Sequence, residues 1–477
     1  MPEIFINGKS VQAEPDQTVL QAALANGFYI PYFCWHKSLS IAGNCRICVV
    51  QPEGKNWVEI ACNMPASEGL RVLTDSELVR ASRKATLQFI TLNHPVDCGI
   101  CDKAGECTLQ DYHVQYNGEG SISIDAKVTS TKFVNLSTRI VLDNERCILC
   151  SRCVRFTREI SKSNGLGIKE RGDTSLVRAS EDGAFDRDPY SDNVVDLCPV
   201  GALLSRPFLH KARVWYLEPT QSVCPGCARG CSIDIWHRKR EWALRALDPA
   251  QNTSIARVTP HENPAVNGPW ICNKGRDLAA IFERRRAVQP MLKGAPAELA
   301  CAIDAARKLI DAAKRPVALV SSWGSNEELV RFKETLGERC TSYVKADHIA
   351  TEGETVADEF LIRADKNPNT TGARALFGDA PVRLDDGIDL VLVWGEGFDF
   401  ATLPRGAKVI FLNAFLAPEN GHADVFIPIS LQTERRGHYT NADGEVGEFL
   451  PCFAKAATVV DAEALFAQIA PPVKVHA

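Results

Sequence analysis

The sequence lacks any long hydrophobic run. Its longest apolar strings, such as Ile388 to Trp394 with Asp389 inside it, fall far short of the roughly 20 residues that cross a bilayer. Any association with a membrane is therefore expected to run through partners. No charge sign dominates: 54 Lys and Arg face 59 Asp and Glu, a formal net charge of −5. The short basic clusters Arg238-Lys239-Arg240 and Arg284-Arg285-Arg286 read as solvated faces, so nucleic acid is set aside as a partner. Met1 to Gly8 shows no basic segment followed by an apolar one; no secretory leader is visible, and a cytosolic address is expected. Nucleotide loops are missing as well. Gly165-x-Gly167 and Gly395-x-Gly397 both lack the third glycine of a dinucleotide fingerprint, and no G-x-x-x-x-G-K-[ST] run exists.

What the sequence has in excess is clustered cysteine. Of 18 cysteines, 15 precede residue 273 in tight groups, and only Cys301, Cys340 and Cys452 are scattered beyond. In a reducing compartment disulfides are disfavoured, so clustered thiols point to metal or redox chemistry. At roughly 150 residues per domain the length suggests about three domains, and the cysteine groups subdivide the chain further.

The opening reads as a strand over Glu3 to Ile6, an Asn7-Gly8 turn, a second strand to Ala13, and a helix from Thr18 to Asn26 ended by Gly27. It resembles a β-grasp ferredoxin over residues 1–78. Cys34, Cys45, Cys48 and Cys62 follow as C-x10-C-x2-C-x13-C, with Gly43 in the first loop, where backbone can wrap closely around an inorganic core. Four thiolates suit a [2Fe-2S] cluster; they also suit structural zinc, and the β-grasp pattern beside a long cysteine loop favours iron and sulfur.

Over 79–118, Thr74-Asp75-Ser76-Glu77 reads as a capping box, and Leu78, Ala81, Ala85, Phe89 and Leu92 fall at helical spacing as an apolar face. The helix should end near His94-Pro95 and deliver His94 to Cys98, Cys101 and Cys107, in a loop supplied with Gly99 and Gly105. One imidazole and three thiolates read as a [4Fe-4S] site. The neutral imidazole lowers the total negative charge and should raise the potential.

Over 138–215, Cys147, Cys150 and Cys153 form C-x2-C-x2-C, and Cys198-Pro199 resembles the tail of a bacterial two-cluster ferredoxin motif. In such pairs the last cysteine of each run ligates the other run's cluster. Position by position, the second cluster's ligands are replaced by Thr157, Asp188, Ser191 and Val194. Cys147, Cys150, Cys153 and the crossing Cys198 remain, a complete set for one [4Fe-4S] cluster. Over 220–277, Cys224, Cys227 and Cys231 form C-x2-C-x3-C with a distant Cys272. That spacing resembles the amino-terminal [4Fe-4S] module of molybdopterin oxidoreductases, with a zinc ribbon as the alternative. Its short strands are expected to have little means of closure besides the cluster.

In this order the modules resemble the large (G-type, 75 kDa-type) iron-sulfur subunits of bacterial NADH-quinone oxidoreductase, respiratory complex I. The resemblance covers residues 1 to about 280. It implies one [2Fe-2S] and three [4Fe-4S] clusters, no molybdenum and no flavin, and a chain that relays single electrons without acid, base or nucleophile. It implies a flavin-bearing, NADH-oxidising partner, other peripheral-arm iron-sulfur subunits, indirect contact with a membrane arm, and a peripheral place on the cytoplasmic side of the bacterial inner membrane. In that family the first three clusters form the main relay and the fourth lies to one side. Formate dehydrogenase and iron-only hydrogenase subunits share parts of the module order. The first would need a full pterin domain; the second normally keeps both ferredoxin clusters.

Residues 278–477 alternate helix and strand: a helix near Glu298 to Ala313, a strand Val317 to Ser321, a helix near Glu327 to Leu336, and strands Leu390 to Trp394 and Val409 to Leu412. Ala423 to Pro428, then Glu434, Gly437, Asn441 and Gly444, resembles the segment that closes a molybdopterin-type domain. About 200 residues are too few for the whole of that fold, so a shortened α/β domain without its cofactor is expected. Cys301, Cys340 and Cys452 read as buried small hydrophobes. The expected fold class is α+β, multidomain.

Overall fold

Asn7 and Gly8 take φ of 52° and 79°, the left-handed pair that closes a two-residue hairpin, and join strand Glu3–Ile6 to Lys9–Gln12. Thr18 caps the Val19–Ala25 helix: its side chain accepts from Gln21 N while the Gln21 side chain accepts from Thr18 N. Arg71–Leu73 then runs parallel to Glu3–Ile6. With Val49–Pro52 and Glu59–Ile60 it completes a five-stranded sheet, the β-grasp arrangement expected. Its core joins Ile4, Ile6, Leu20, Val50 and Val72 to Trp35, Cys48 and Cys62, so burial of the aliphatic face itself positions two of the thiols.

This computed structural model describes residues 1–183, 185–243 and 252–470. Residues 244–251 of the expected fourth module and 471–477 of the expected last domain lie outside the described residues. The chain forms two compact units, Met1–Tyr216 and Leu217–Ala477. Among the described residues no helix is long and apolar enough to cross a membrane.

Two expectations for the Glu77–Asn93 helix are corrected. Its cap is Ser76, whose side chain accepts from Val79 N, whereas Thr74 is clamped to Asn7 through two hydrogen bonds of 2.8 Å. The face turned inward is Val79, Arg83 and Leu87; Leu78, Ala81, Ala85 and Phe89 are exposed, Phe89 by 73%. The buried cation misled the pattern. Arg83 donates from Nη2 to Val49 O and lies over the Tyr116 ring, so its stem is buried and its charge is partly compensated inside, with Nε left unpartnered.

The rest of the first unit hangs on short elements. Val134–Asn135, Ile140–Leu142 and Leu203–Ser205 form a small antiparallel sheet; the Arg152–Glu159 helix lies beside the hairpin Leu166–Lys169/Leu176–Ala179, and the Asn193–Leu197 helix packs on that helix and on Leu203–Ser205. In the second unit, Leu217–Val223, Ser232–Arg238 and Ile255–Pro260 form an antiparallel sheet. Pro316–Ser321, Thr341–Lys345, Leu390–Trp394, Lys408–Asn413 and Val425–Pro428 form a parallel one, extended at one edge by Met291–Leu292 and Ala295–Pro296. Helices Leu299–Ala312 and Asn326–Leu336 flank it where the 3.6-residue periodicity placed them. Both units thus mix sheet and helix, as an α+β multidomain chain should. Cys340 is buried and Cys452 half-buried, but Cys301 is exposed. The helix that carries it buries Ala302, Ala306 and Ile310 instead, one position along.

Candidate iron-sulfur sites

The first set is held by the β-grasp loops. Cys34, Cys48 and Cys62 are at most 1% exposed, and the thiols come together two by two. Cys34 N lies 3.4 Å from Cys45 Sγ, a hydrogen bond with Cys45 pulls the Cys34 thiol down to about 5, and Cys62 is lowered in the same way by Cys48. Gly43, at φ 63°, lets the loop pass Ile60, whose Cδ1 would lie 3.3 Å from an added Cβ.

In the second set His94 ends the Glu77–Asn93 helix. Burial, then the charges of Arg146 and Lys127, hold its imidazole neutral, with a pKa of about 4. Cys101 is buried and Cys107 half-buried, both thiols pushed up by burial, while Cys98 is exposed. Arg213 ties the loop together by donating to Cys101 O at 2.6 Å and to Gly99 O. Gly105, at φ 86°, faces Trp215 and Val214 so closely that a Cβ would come within 2.9 Å of either side chain.

The third set is brought together most completely. Cys147, Cys150, Cys153 and Cys198 line one cavity with Leu142, Ile148, Val177, Val200 and Leu203. Burial raises the thiols, Cys147 to about 12 and Cys150 to about 11. Leu149 and Ser151 take left-handed φ of 51° and 60°, backbone strain accepted so that the loop can curl around the cavity, and Leu149 N points at Cys147 Sγ from 3.4 Å. The positions where a second ferredoxin cluster would be ligated are filled by packing. Thr157 and Val194 are 0% exposed, and buried Asp188 accepts from Ser161 Oγ and Ser163 Oγ at 2.6 and 2.7 Å.

The fourth set spans the longest gap. Cys224, Cys227 and Cys231 are buried and Cys272 half-buried. Cys224, Cys231 and Cys272 are each raised first by burial and then by neighbouring thiols of the same set, Cys272 to about 11. Gly226 and Gly275 sit against Cys224 Sγ, where a Cβ would lie 3.5 and 3.4 Å away. The loop is not left to a cluster for closure, contrary to expectation. Ala442 N donates to Ala228 O, Ala228 N to Asp365 O, Gln432 Nε2 to Val223 O and Asn441 Nδ2 to Arg229 O. The segment resembling a domain-closing one performs that task.

Among the described residues no three or more His, Cys, Asp or Glu side chains are drawn together tightly enough to hold a single metal ion. Sequence reasoning missed three buried arginines around the sets. Arg146, 2% exposed, bonds Asp97 and Asp143 and acts on both His94 and Cys101. Arg152 and Arg155 lie 8% and 5% exposed on the third set's helix. Their only sequence signal is a three-residue spacing that flanks Cys153.

Four family models match in the same order: a 2Fe-2S iron-sulfur cluster binding domain at residues 2–77, the NADH-ubiquinone oxidoreductase-G iron-sulfur binding region at 83–121, the ferredoxin-like domain of NADH-quinone oxidoreductase subunit 3 at 137–204, and the molybdopterin oxidoreductase Fe4S4 domain at 217–283. The iron-sulfur protein 1 of mitochondrial NADH dehydrogenase [ubiquinone] from Solanum tuberosum is 37% identical over 293 residues, 61% of this chain and 38% of that one. The NADH-ubiquinone oxidoreductase 75 kDa subunit of Reclinomonas americana is 36% identical over 61% of this chain and 40% of its own. The G-type subunit of NADH-quinone oxidoreductase from Rickettsia typhi is 35% identical over 61% and 41%. A chain of an NAD+-reducing [NiFe]-hydrogenase in the H2-reduced state aligns at 30% identity with a TM-score of 0.40, over 45% of this chain and 91% of its own. This chain spans about two-fifths of the length of the curated relatives it matches. Over the matched region the chain is similar to the G-type, 75 kDa iron-sulfur subunits of NADH-quinone oxidoreductase.

Proposed function

We propose that this chain is an electron-relay subunit of the peripheral arm of an NADH:quinone oxidoreductase. It would take single electrons from a flavin-bearing, NADH-oxidising partner and pass them toward quinone through other peripheral iron-sulfur subunits, with proton translocation left to membrane partners. In a bacterial cell it would sit peripherally on the cytoplasmic face of the inner membrane. The observation that carries the reading is the third set: four thiols around one cavity, one of them, Cys150, flanked on both sides by left-handed backbone.

The residues fit the groups. Cys34, Cys45, Cys48 and Cys62, whose thiols meet as the pairs Cys34/Cys45 and Cys48/Cys62, would hold a [2Fe-2S] cluster. Three [4Fe-4S] clusters would be held by His94, Cys98, Cys101 and Cys107, by Cys147, Cys150, Cys153 and Cys198, and by Cys224, Cys227, Cys231 and Cys272. Bound clusters supply one-electron redox chemistry without proton transfer. The chain's own residues supply the rest. Where burial raises the thiols, as at Cys147, Cys150, Cys153, Cys224, Cys231 and Cys272, free thiolate is costly and the sulfurs favour a cationic iron core, and backbone N–H groups such as Leu149 N tune them. No acid, base or nucleophile is needed, and neither flavin nor NADH is assigned a place on this chain.

Anaerobically purified full-length protein should contain about 14 iron atoms per chain and no molybdenum, with one [2Fe-2S] and three [4Fe-4S] signatures by low-temperature electron paramagnetic resonance. Stoichiometric zinc in place of iron, or stoichiometric molybdenum as in a formate dehydrogenase, would overturn the reading.

A further inference from the structure

A buried cation normally stands beside a carboxylate. Arg155 has Glu159 near it on the same helix, but the groups its forked end bonds are carbonyls of two different cysteine loops, while its Nε donates to Ser151 Oγ at 3.3 Å. Its Nη2 donates to Cys34 O at 2.5 Å and to Cys150 O at 3.3 Å, and its Nη1 to Ser40 O. One nitrogen therefore separates the backbone of a first-set cysteine from that of a third-set cysteine. Arg152, one turn earlier and on the same face of the Arg152–Glu159 helix, repeats the pattern on the adjoining residues. Its Nη2 donates to Trp35 O at 2.5 Å and its Nη1 to Leu197 O at 3.2 Å, next to Cys34 and Cys198. The two loops are laced further by Ser40 N and Oγ donating to Glu159 and by Asn44 Nδ2 donating to Leu149 O. Arg155 is 5% exposed, so little solvent screens its charge from either set.

We propose that Arg155 is the positioning residue for electron transfer between the first and third cysteine sets, fixing their approach and raising the potentials of both. The proposal rests on the relay reading above. The transfer is one electron out of a reduced [2Fe-2S] cluster on Cys34, Cys45, Cys48 and Cys62 into an oxidised [4Fe-4S] cluster on Cys147, Cys150, Cys153 and Cys198. The first is oxidised by one and the second reduced by one. No proton moves and the guanidinium stays charged. One covalent and hydrogen-bonded route runs from the Cys34 sulfur through its own carbonyl to Nη2, then through the Cys150 carbonyl to the Cys150 sulfur. A fixed positive charge at that midpoint favours the more negative, reduced state on both sides, so it lifts both potentials in the same sense.

The test is a redox titration of full-length protein followed by low-temperature electron paramagnetic resonance. Arg155→Met should shift the midpoints of the [2Fe-2S] signal and of the third set's signal downward together. Arg155→Lys, which keeps the charge but cannot fork to three carbonyls, should restore both midpoints; in freeze-quenched assembled complex reduced by NADH, it should leave the third set filling later than the first. Arg155→Gln, uncharged but still a donor, serves as the titration variant should Arg155→Met fail to accumulate. Arg158→Met, on the exposed side of the same helix, should move neither midpoint. Two clusters present with unmoved midpoints in both uncharged variants, or a shift confined to one cluster, would overturn the proposal. Failure of the wild-type protein to show the two signals would sink the relay reading instead, so the two failures are distinguishable.

Discussion

Gly201 presses on the sulfur of Cys101: a Cβ built on the glycine would meet Cys101 Sγ at 2.1 Å and the Lys103 Cβ at 3.2 Å. The contact joins the third set's Cys198-Pro199-Val200-Gly201 turn to the second set's loop. Around it Thr108 N donates to Pro199 O at 3.0 Å and Lys103 Nζ to Val195 O at 3.4 Å. The absence of a side chain at 201 is what permits the approach. Gly201→Ala should therefore force the two loops apart, at a cost of about 1–3 kcal/mol for overpacking, and the second set should retain less iron than in the wild type. Gly167→Ala, where a Cβ meets nothing within 4 Å, is the matched control. Equal iron and equal spectra in both variants would show that the contact carries no constraint.

His94 is tested by charge. Burial and the nearby cations keep its imidazole neutral, the form that can ligate iron. His94→Cys should keep a cluster but lower its potential, because thiolate adds a negative charge where imidazole had none. His94→Ala should impair retention. A redox titration unchanged in both variants would make His94 only a helix-end residue.

The second unit carries a buried ion pair between Arg435 and Glu328, 2.8 Å apart, with side chains 10% and 4% exposed. Glu328 also closes the capping box of the Asn326–Leu336 helix through Ser325. Arg435→Met removes the cation and leaves that carboxylate buried, so denaturant unfolding should lose about 3–5 kcal/mol. A loss under 1 kcal/mol would mean that water already compensates the charge.

Most of the cysteine grouping was legible because it is written in short local runs, with Cys198 and Cys272 marked only by the residues beside them, and so were the hairpin, the first helix and the parallel strands, whose periodicities depend only on near neighbours. The arginines were not. Arg155 finds Cys34 O across 121 positions, and a carbonyl is a partner that any residue offers, so no side-chain pattern marks it. The same lack of information misled the reading of the Glu77–Asn93 helix. An apolar stripe there meets solvent, while a buried arginine held by one carbonyl and one aromatic ring takes the inner face. Polar residues are buried wherever their donors find acceptors, and that condition is tertiary.

If the chain relays electrons as proposed, loss of the third set and loss of the fourth should act differently on turnover. Cys198 lines the third set's cavity, and the positions that could ligate a second ferredoxin cluster are filled by Thr157, Asp188, Ser191 and Val194, all at most 2% exposed. Under the proposed function, current arriving at that module would have one centre to use. Cys198→Ala should stop NADH-driven quinone reduction in the assembled complex. Cys227→Ala attacks the fourth set, which the family resemblance places off the main path, so turnover per assembled complex should largely persist. Its defect should lie in assembly and should be partial, because Ala442, Asp365, Gln432 and Asn441 hold residues 223–229 by hydrogen bonds that do not pass through a cluster. The measurement is turnover normalised to assembled complex, with electron paramagnetic resonance of the reduced enzyme to identify the missing centre. Equal loss per assembled complex in both variants would put the fourth set on the electron path.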